Sequence, residues 1–214
     1  MTWPVRAARW AFVLLAVALA SQPLGAADLG RSLPTTPYVP AAALLVDPAD
    51  RLEARFGVFA HGVGSVEQGT VDVNGEIVSP RLVPGVAGFW SAFVPRVHFG
   101  ASGNLSNRTS IAYTGLLWTF PVFERFFVEP FVGPAVHNGS LTPTQALAGL
   151  GCPALFHAGA NAGYRFDGHW SVMFTFEHLS NGKSLFGVNC GTNQGLRGSN
   201  QGLNNYGVRL GYAF

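Results

Sequence analysis

The chain carries little charge. Only 11% of its 214 residues are Asp, Glu, Lys or Arg, against about 25% in an ordinary soluble domain. The 13 basic and 11 acidic residues nearly cancel, leaving +2. No basic surface for nucleic acid follows from that balance, so nucleic acid is excluded as a partner. Cysteine is scarce, with Cys152 and Cys190 alone, and no Cys/His spacing suggests a metal site. Long apolar runs are also missing. Beyond residue 27 no segment approaches the roughly 20 residues that a membrane helix needs. No internal repeat or low-complexity tract stands out.

What is present is glycine, at 27 residues, together with 48% hydrophobic and 13% aromatic residues. Apolar content without an apolar helix, at low charge, points to a membrane β-barrel.

The N-terminal end fits export. Arg6 and Arg9 precede an apolar run from Trp10 to Ala20, then Ser21-Gln22-Pro23 and Gly25-Ala26-Ala27. Charged, apolar and small-residue zones in that order read as a secretory signal peptide cut after Ala26 or Ala27. An uncleaved anchor is the competing reading, but the run is short for a span. Loss of residues 1–27 removes two arginines and brings the formal charge to about zero. The expected organisation is a signal peptide at 1–27, a Pro-rich lead-in at 28–50 and a barrel domain at 51–214.

The C-terminal end sharpens the fold class. Tyr206, Val208, Leu210, Tyr212 and Phe214 alternate with Asn205, Gly207, Arg209, Gly211 and Ala213. Side chains alternate faces along a strand, so one face can meet lipid and the other a tight, polar interior. A closing strand of a soluble sandwich would explain the alternation but not the glycines or the signal. The same period-2 rule predicts strands at 53–64, 68–80, 92–102, 108–119, 126–137, 152–166, 169–180 and 204–214. Pro130 and Pro134 are awkward for the ladder of the fifth. The expectation is an all-β protein, an eight-stranded antiparallel transmembrane outer-membrane β-barrel.

With both ends in the periplasm, the connections near 65–67, 103–107, 138–151 and 181–203 lie outside. Those near 81–91, 120–125 and 167–168 lie inside. The two longest fall outside, as barrels of this class require, whereas 81–91 is long for an inner turn. Both cysteines fall on the outer side, and the oxidising compartment permits a disulfide between them. His61, His98, His137, His157 and His169 read as lumen, loop or interface residues.

One polar pair breaks a lipid-facing row. Trp170, Val172, Phe174 and Phe176 share a face, and the same parity continues to His178 and Ser180. Eight residues separate Trp170 from His178, or about 20 Å of height at a 40° tilt, which is the outer edge of the apolar band. A His beside a Ser can take its proton and make it a nucleophile. A pair marking the membrane–water interface is the bland alternative.

His178-Leu179-Ser180-Asn181-Gly182, then Ser199-Asn200-Gln201-Gly202-Leu203-Asn204 and a last strand, resembles the lipid A 3-O-deacylase (PagL-type) family. The likeness is close from Trp170 to Phe214 and loose over the rest, where Val71–Glu76 is similar to an early strand of the family. It implies an eight-stranded barrel that hydrolyses the 3-position hydroxyacyl ester of lipid A, the anchor of lipopolysaccharide. It further implies Ser180 as nucleophile and His178 as general base, with Asn181 and the Gly182 backbone N–H as oxyanion donors. The family's third member is a Glu that orients the His. Here Asn204 stands at that place, and no acid follows Glu177. Asn204 has lipid-facing parity and can fix the His tautomer, as Asn does in Cys-His-Asn proteases, but without a full charge. The 181–203 connection is long for the family.

The resemblance implies lipid A and outer-membrane lipid as partners and no cofactor, with a homodimer left open. Lys183 and Arg197 could contact lipid A phosphates, though solvated loop cations is the simpler reading. Two other classes compete: a structural or adhesive barrel without catalysis, and an acyltransferase acting on lipid A. A structural barrel has no need of His, Ser and Asn at matching parity on neighbouring strands. An acyltransferase would bind its donor in the lumen, whereas these residues face outward.

Overall fold

A computed structural model describes residues 47–182 and 201–214. The expected signal peptide and most of the lead-in, and with them Lys183, Cys190 and Arg197, lie outside the described residues.

Eight antiparallel strands form one closed sheet. They are β1 (Glu53–His61), β2 (Thr70–Arg81), β3 (Arg96–Asn104), β4 (Ile111–Leu117), β5 (Phe126–His137), β6 (Ala154–Arg165), β7 (Trp170–Ser180) and β8 (Leu203–Ala213). A two-residue segment, Phe120–Pro121, prolongs the β4 side against β5. Consecutive strands pair, and β1 closes on β8 with Glu53 opposite Ala213 and Ala60 opposite Tyr206. Closure removes both sheet edges, which a bilayer would otherwise leave unsatisfied. The fifth strand occupies the range its alternation predicts, and the others shift by a few residues at their ends.

The ladder explains how the prolines are tolerated. Both point outward on β5. Pairing of β4 with β5 lapses between Tyr113↔Ala135 and Leu116↔Val132, the stretch that faces Gly133 and Pro134. Pro134 has no N–H to give. Gly115 and Gly133 instead let the two backbones approach, and a Cβ on Gly133 would collide with the Thr114 carbonyl.

The two faces differ as the alternation requires. Outward side chains are apolar and exposed, among them Phe56, Phe99, Phe174, Val208 and Leu210. Such a belt has no place in water but suits lipid. At the rim that carries Phe214, Trp170 meets Tyr212 edge-on at 4.8 Å, and Tyr212 meets Phe214 at 5.1 Å. These rings belong to an interfacial aromatic girdle. The long 82–95 connection resolves the length conflict noted above, because it contains a 3₁₀ turn, Gly88–Phe93, that presents Phe89 and Trp90.

Among the inward side chains, the charged ones are buried and paired. Arg209 Nε donates to Asn74 Oδ1 at 2.9 Å and its Nη2 to Tyr113 Oη at 2.9 Å, with Glu76 and Glu177 at 3.5 and 3.6 Å. Arg55 bridges Glu53 and Glu129 at 2.9 and 2.8 Å. His157 lies 3.1 Å from Glu177, and His98 lies 2.9 Å from Glu76. Buried charges persist only when paired and hydrogen-bonded in this way. His61, His98 and His157 are therefore interior residues, as expected. His137 lies at the connection end of β5, where its Nε2 donates to the Cys152 carbonyl at 2.7 Å.

Candidate functional site on the outer wall

Parity and register build the site. Along β7 the inward row Ser171, Met173, Thr175, Glu177 and Leu179 is buried, while Trp170, Val172, Phe174, Phe176, His178 and Ser180 form the outward row. On β8, Leu203, Asn205, Gly207 and Arg209 point inward, and Asn204, Tyr206 and Val208 point outward. The strands pair with His178 opposite Asn204 and Phe176 opposite Tyr206. Facing residues on one side of such a pair have Cβ atoms about 5 Å apart. His178 and Asn204 therefore meet although 26 positions separate them in sequence.

They meet through a hydrogen bond of 2.7 Å between His178 Nδ1 and Asn204 Oδ1. The amide oxygen only accepts, so Nδ1 carries the proton and Nε2 is the basic nitrogen. Ser180 shares the face two residues further out, about 6.6 Å along the strand. All three side chains are half-buried, at the end of the wall opposite Phe214. Below them the Phe176 and Tyr206 rings pack at 5.0 Å and continue the apolar row.

Two left-handed glycines bound the site. Gly182 (φ 67°) lies two residues after β7, and Gly202 (φ 62°) directly precedes β8. Gly202 lies against the catalytic-candidate ring: a Cβ there would sit 3.1 Å from His178 Cε1 and 2.9 Å from the Leu179 carbonyl oxygen. A side chain would be strained by the backbone and crowded by the imidazole.

Asn181 differs in placement from the other candidates. It has inward parity, is buried, and its Nδ2 donates to the Leu150 carbonyl at 3.2 Å. It ties the turn after Ser180 to the 138–153 connection. Cys152, in that same connection, is a buried disulfide cysteine. Its expected partner, Cys190, lies outside the described residues.

Sequence reasoning named Gly202 and Gln201 within the motif but gave neither a role in this region. Gly149 N donates to Gln201 Oε1 at 2.8 Å, and Gln201 N donates back to the Gly149 carbonyl at 3.2 Å. The Gly202 position was visible as a glycine at a strand start; nothing local signals the Gln201 contact. Among the described residues no cluster of His, Cys, Asp or Glu could hold a metal ion.

The closed sheet, its apolar belt and its filled polar interior define an outer-membrane β-barrel protein. Residues 82–213 match the family model for lipid A 3-O-deacylase (PagL). The match spans well over half of the chain, which belongs to the lipid A 3-O-deacylase (PagL) family. Among solved structures the chain is similar to the crystal structure of the outer membrane enzyme PagL. Identity is 15% and the TM-score 0.52, over 76% of this chain and 99% of that one. It is also similar to the N-terminal β-barrel domain of Pseudomonas aeruginosa OprF, at 9% identity and TM-score 0.48, over 77% and 98%. A de novo designed transmembrane β-barrel gives 15% identity and TM-score 0.46, over 77% and 96%. Likeness to PagL at this identity speaks for the fold. No curated protein matches the chain by sequence.

Proposed function

We propose that the protein is an outer-membrane esterase that removes the 3-position hydroxyacyl chain of lipid A, with Ser180 as nucleophile and His178 as general base. The observation that carries this reading is the His178–Asn204 pair, set on the lipid-facing wall inside the region matched by the family. Lipid A occupies the outer leaflet, so its ester reaches a site on the outside of the barrel and not in the filled lumen.

The steps follow from the tautomer. Asn204 holds the Nδ1 proton, which leaves Nε2 to take the Ser180 hydroxyl proton as Oγ attacks the ester carbonyl carbon. The carbonyl π pair moves to oxygen, where the Gly182 N–H is the proposed donor. Asn181 supports that donor by pinning the turn to Leu150. Collapse breaks the acyl carbon–sugar oxygen bond, and the proton on Nε2 passes to the leaving sugar hydroxyl. Water, deprotonated by the same nitrogen, then splits the acyl-serine to free hydroxy acid and Ser180. The Phe174, Phe176 and Tyr206 row offers apolar contact for the acyl chain.

Mass spectrometry of lipid A from cells expressing wild type or Ser180→Ala tests this directly. Loss of one 3-hydroxyacyl chain with wild type alone is the expected result. Unchanged lipid A in both, with folded barrel in the outer membrane, would overturn it in favour of a non-catalytic barrel.

A further inference from the structure

One buried carboxylate joins three of the outer connections, and the reaction just described does not use it. Glu67 lies in the 62–69 connection and is fully buried. Its Oε1 accepts from Ala148 N at 2.8 Å and from Thr109 Oγ1 at 3.0 Å. Its Oε2 accepts from Thr109 N at 2.8 Å and lies 3.1 Å from His61 Nε2. His61 Nδ1 is in turn 2.8 Å from Asp72 Oδ2. The 62–69, 105–110 and 138–153 connections thus converge on one side chain.

Two of those connections also grip the site. From 62–69, Val63 N donates to the Asn204 carbonyl at 2.8 Å and Gly62 N to Asn205 Oδ1 at 2.8 Å. From 138–153, the residues directly after Ala148 take the other side. Gly149 exchanges two hydrogen bonds with Gln201, and the Leu150 carbonyl receives Asn181 Nδ2. The gripped residues flank Ser180 on β7 and carry Asn204 on β8. Pairing of β7 with β8 stops at Leu179↔Leu203, so beyond that point these contacts hold the two strand ends in register.

We propose that Glu67 is a positioning residue for the wall site, locking two outer connections onto residues 181, 201 and 204 so that Ser180, His178 and Asn204 keep their relative placement. The proposal rests on the reading of that site as a deacylase. Its physical basis has three parts. Charge-assisted bonds to a carboxylate are stronger than neutral ones. A displacement of about 1 Å in a catalytic group costs about 10²-fold in rate. Strand ends without such support open locally at low free-energy cost.

The test uses the full-length protein refolded in detergent. In Glu67→Gln an amide NH₂ replaces one acceptor oxygen, so it faces either Ala148 N–H or the Thr109 and His61 side. The expected result is a fall in kcat per folded molecule of roughly 10- to 50-fold, with KM within about twofold. Hydrogen exchange at 178–182 and 201–204 should quicken at least about tenfold while β5 keeps its protection. Gln201→Ala, an exposed change that spares the carboxylate, should lower kcat in the same direction. The double variant should fall no further than Glu67→Gln alone, because both act on one path. Unchanged kcat in Glu67→Gln, additive losses in the double variant, or exchange that quickens equally over all strands would overturn the proposal. Should Glu67→Gln not fold, the Gln201→Ala kcat and exchange pattern decides alone. A wild type that releases no acyl chain would refute the deacylase reading instead, and the exchange data would still judge the brace.

Discussion

His178 donates from Nδ1 to Asn204 Oδ1 across 2.7 Å between the paired strands β7 and β8. This neutral amide fixes the tautomer and the ring's direction. It lacks the charge that would stabilise an imidazolium. Asn204→Ala should therefore lower kcat by about 10²-fold, through loss of the tautomer lock. Asn204→Asp should retain activity and raise kcat above wild type by about tenfold or more. Steady-state hydrolysis of purified lipid A by folded protein checks both, and a slower Asn204→Asp would sink the electrostatic part of the argument.

Gly202→Ala probes the same ring from the other side. The substitution places a methyl 3.1 Å from His178 Cε1 on a backbone at φ 62°. Left-handed strain costs about 1 kcal/mol, so the barrel should still fold. The ring, however, must shift, and kcat should fall by about tenfold with little change in KM. Gel mobility of unboiled samples reports folding, and kinetics report the site.

The interior network predicts large stability effects without direct effects on chemistry. Arg209 is fully buried among Asn74, Tyr113, Glu76 and Glu177. Arg209→Leu leaves two buried carboxylates short of their counter-charge, which costs about 3–5 kcal/mol. Equilibrium urea unfolding in detergent should show a midpoint shifted to lower denaturant. A variant as stable as wild type would mean that water or protonation relieves the charges.

Cys152 is buried and disulfide-bonded. Peptide mapping without reductant should recover Cys152 joined to Cys190. Cys152→Ser should lower the stability of the outer connections by about 2–4 kcal/mol, seen as faster proteolysis of the 138–153 segment. Proteolysis unchanged by reduction would show that the bridge does not hold this connection.

Acid should loosen the outer side first. Burial opposes ionisation of Glu67, but the His61 side chain and the Thr109 and Ala148 N–H groups outweigh it and hold its carboxyl below the usual carboxylate range. A depressed folded value means that the stabilisation is complete above the unfolded value, about 4.3. It is lost as pH falls from there through the folded value. Amide shifts of Thr109 and Ala148, followed from pH 7 downward, should hold steady to about pH 4 and move together below it. Movement already complete near pH 6 would contradict the assignment.

The sequence by itself determined the barrel and the face on which the site lies. Period-2 alternation is a local property of an extended chain, so 170–180 and 203–213 show their lipid and lumen rows without any partner. The outward parity of His178, Ser180 and Asn204 followed from the same rule, as did the inward place of Arg209. What only the tertiary structure decided depends on contacts between distant segments. Pairing of β7 with β8 set Asn204, and not a neighbour, against the imidazole. Closure of the barrel crowded the outer connections together, so that Glu67 met Thr109 and Ala148, and Gly149 met Gln201. It also turned Asn181, read from the sequence as an oxyanion donor, inward onto Leu150. Alternation names a residue's face, but loop packing is fixed by backbone paths and hydrogen bonds that no local periodicity encodes.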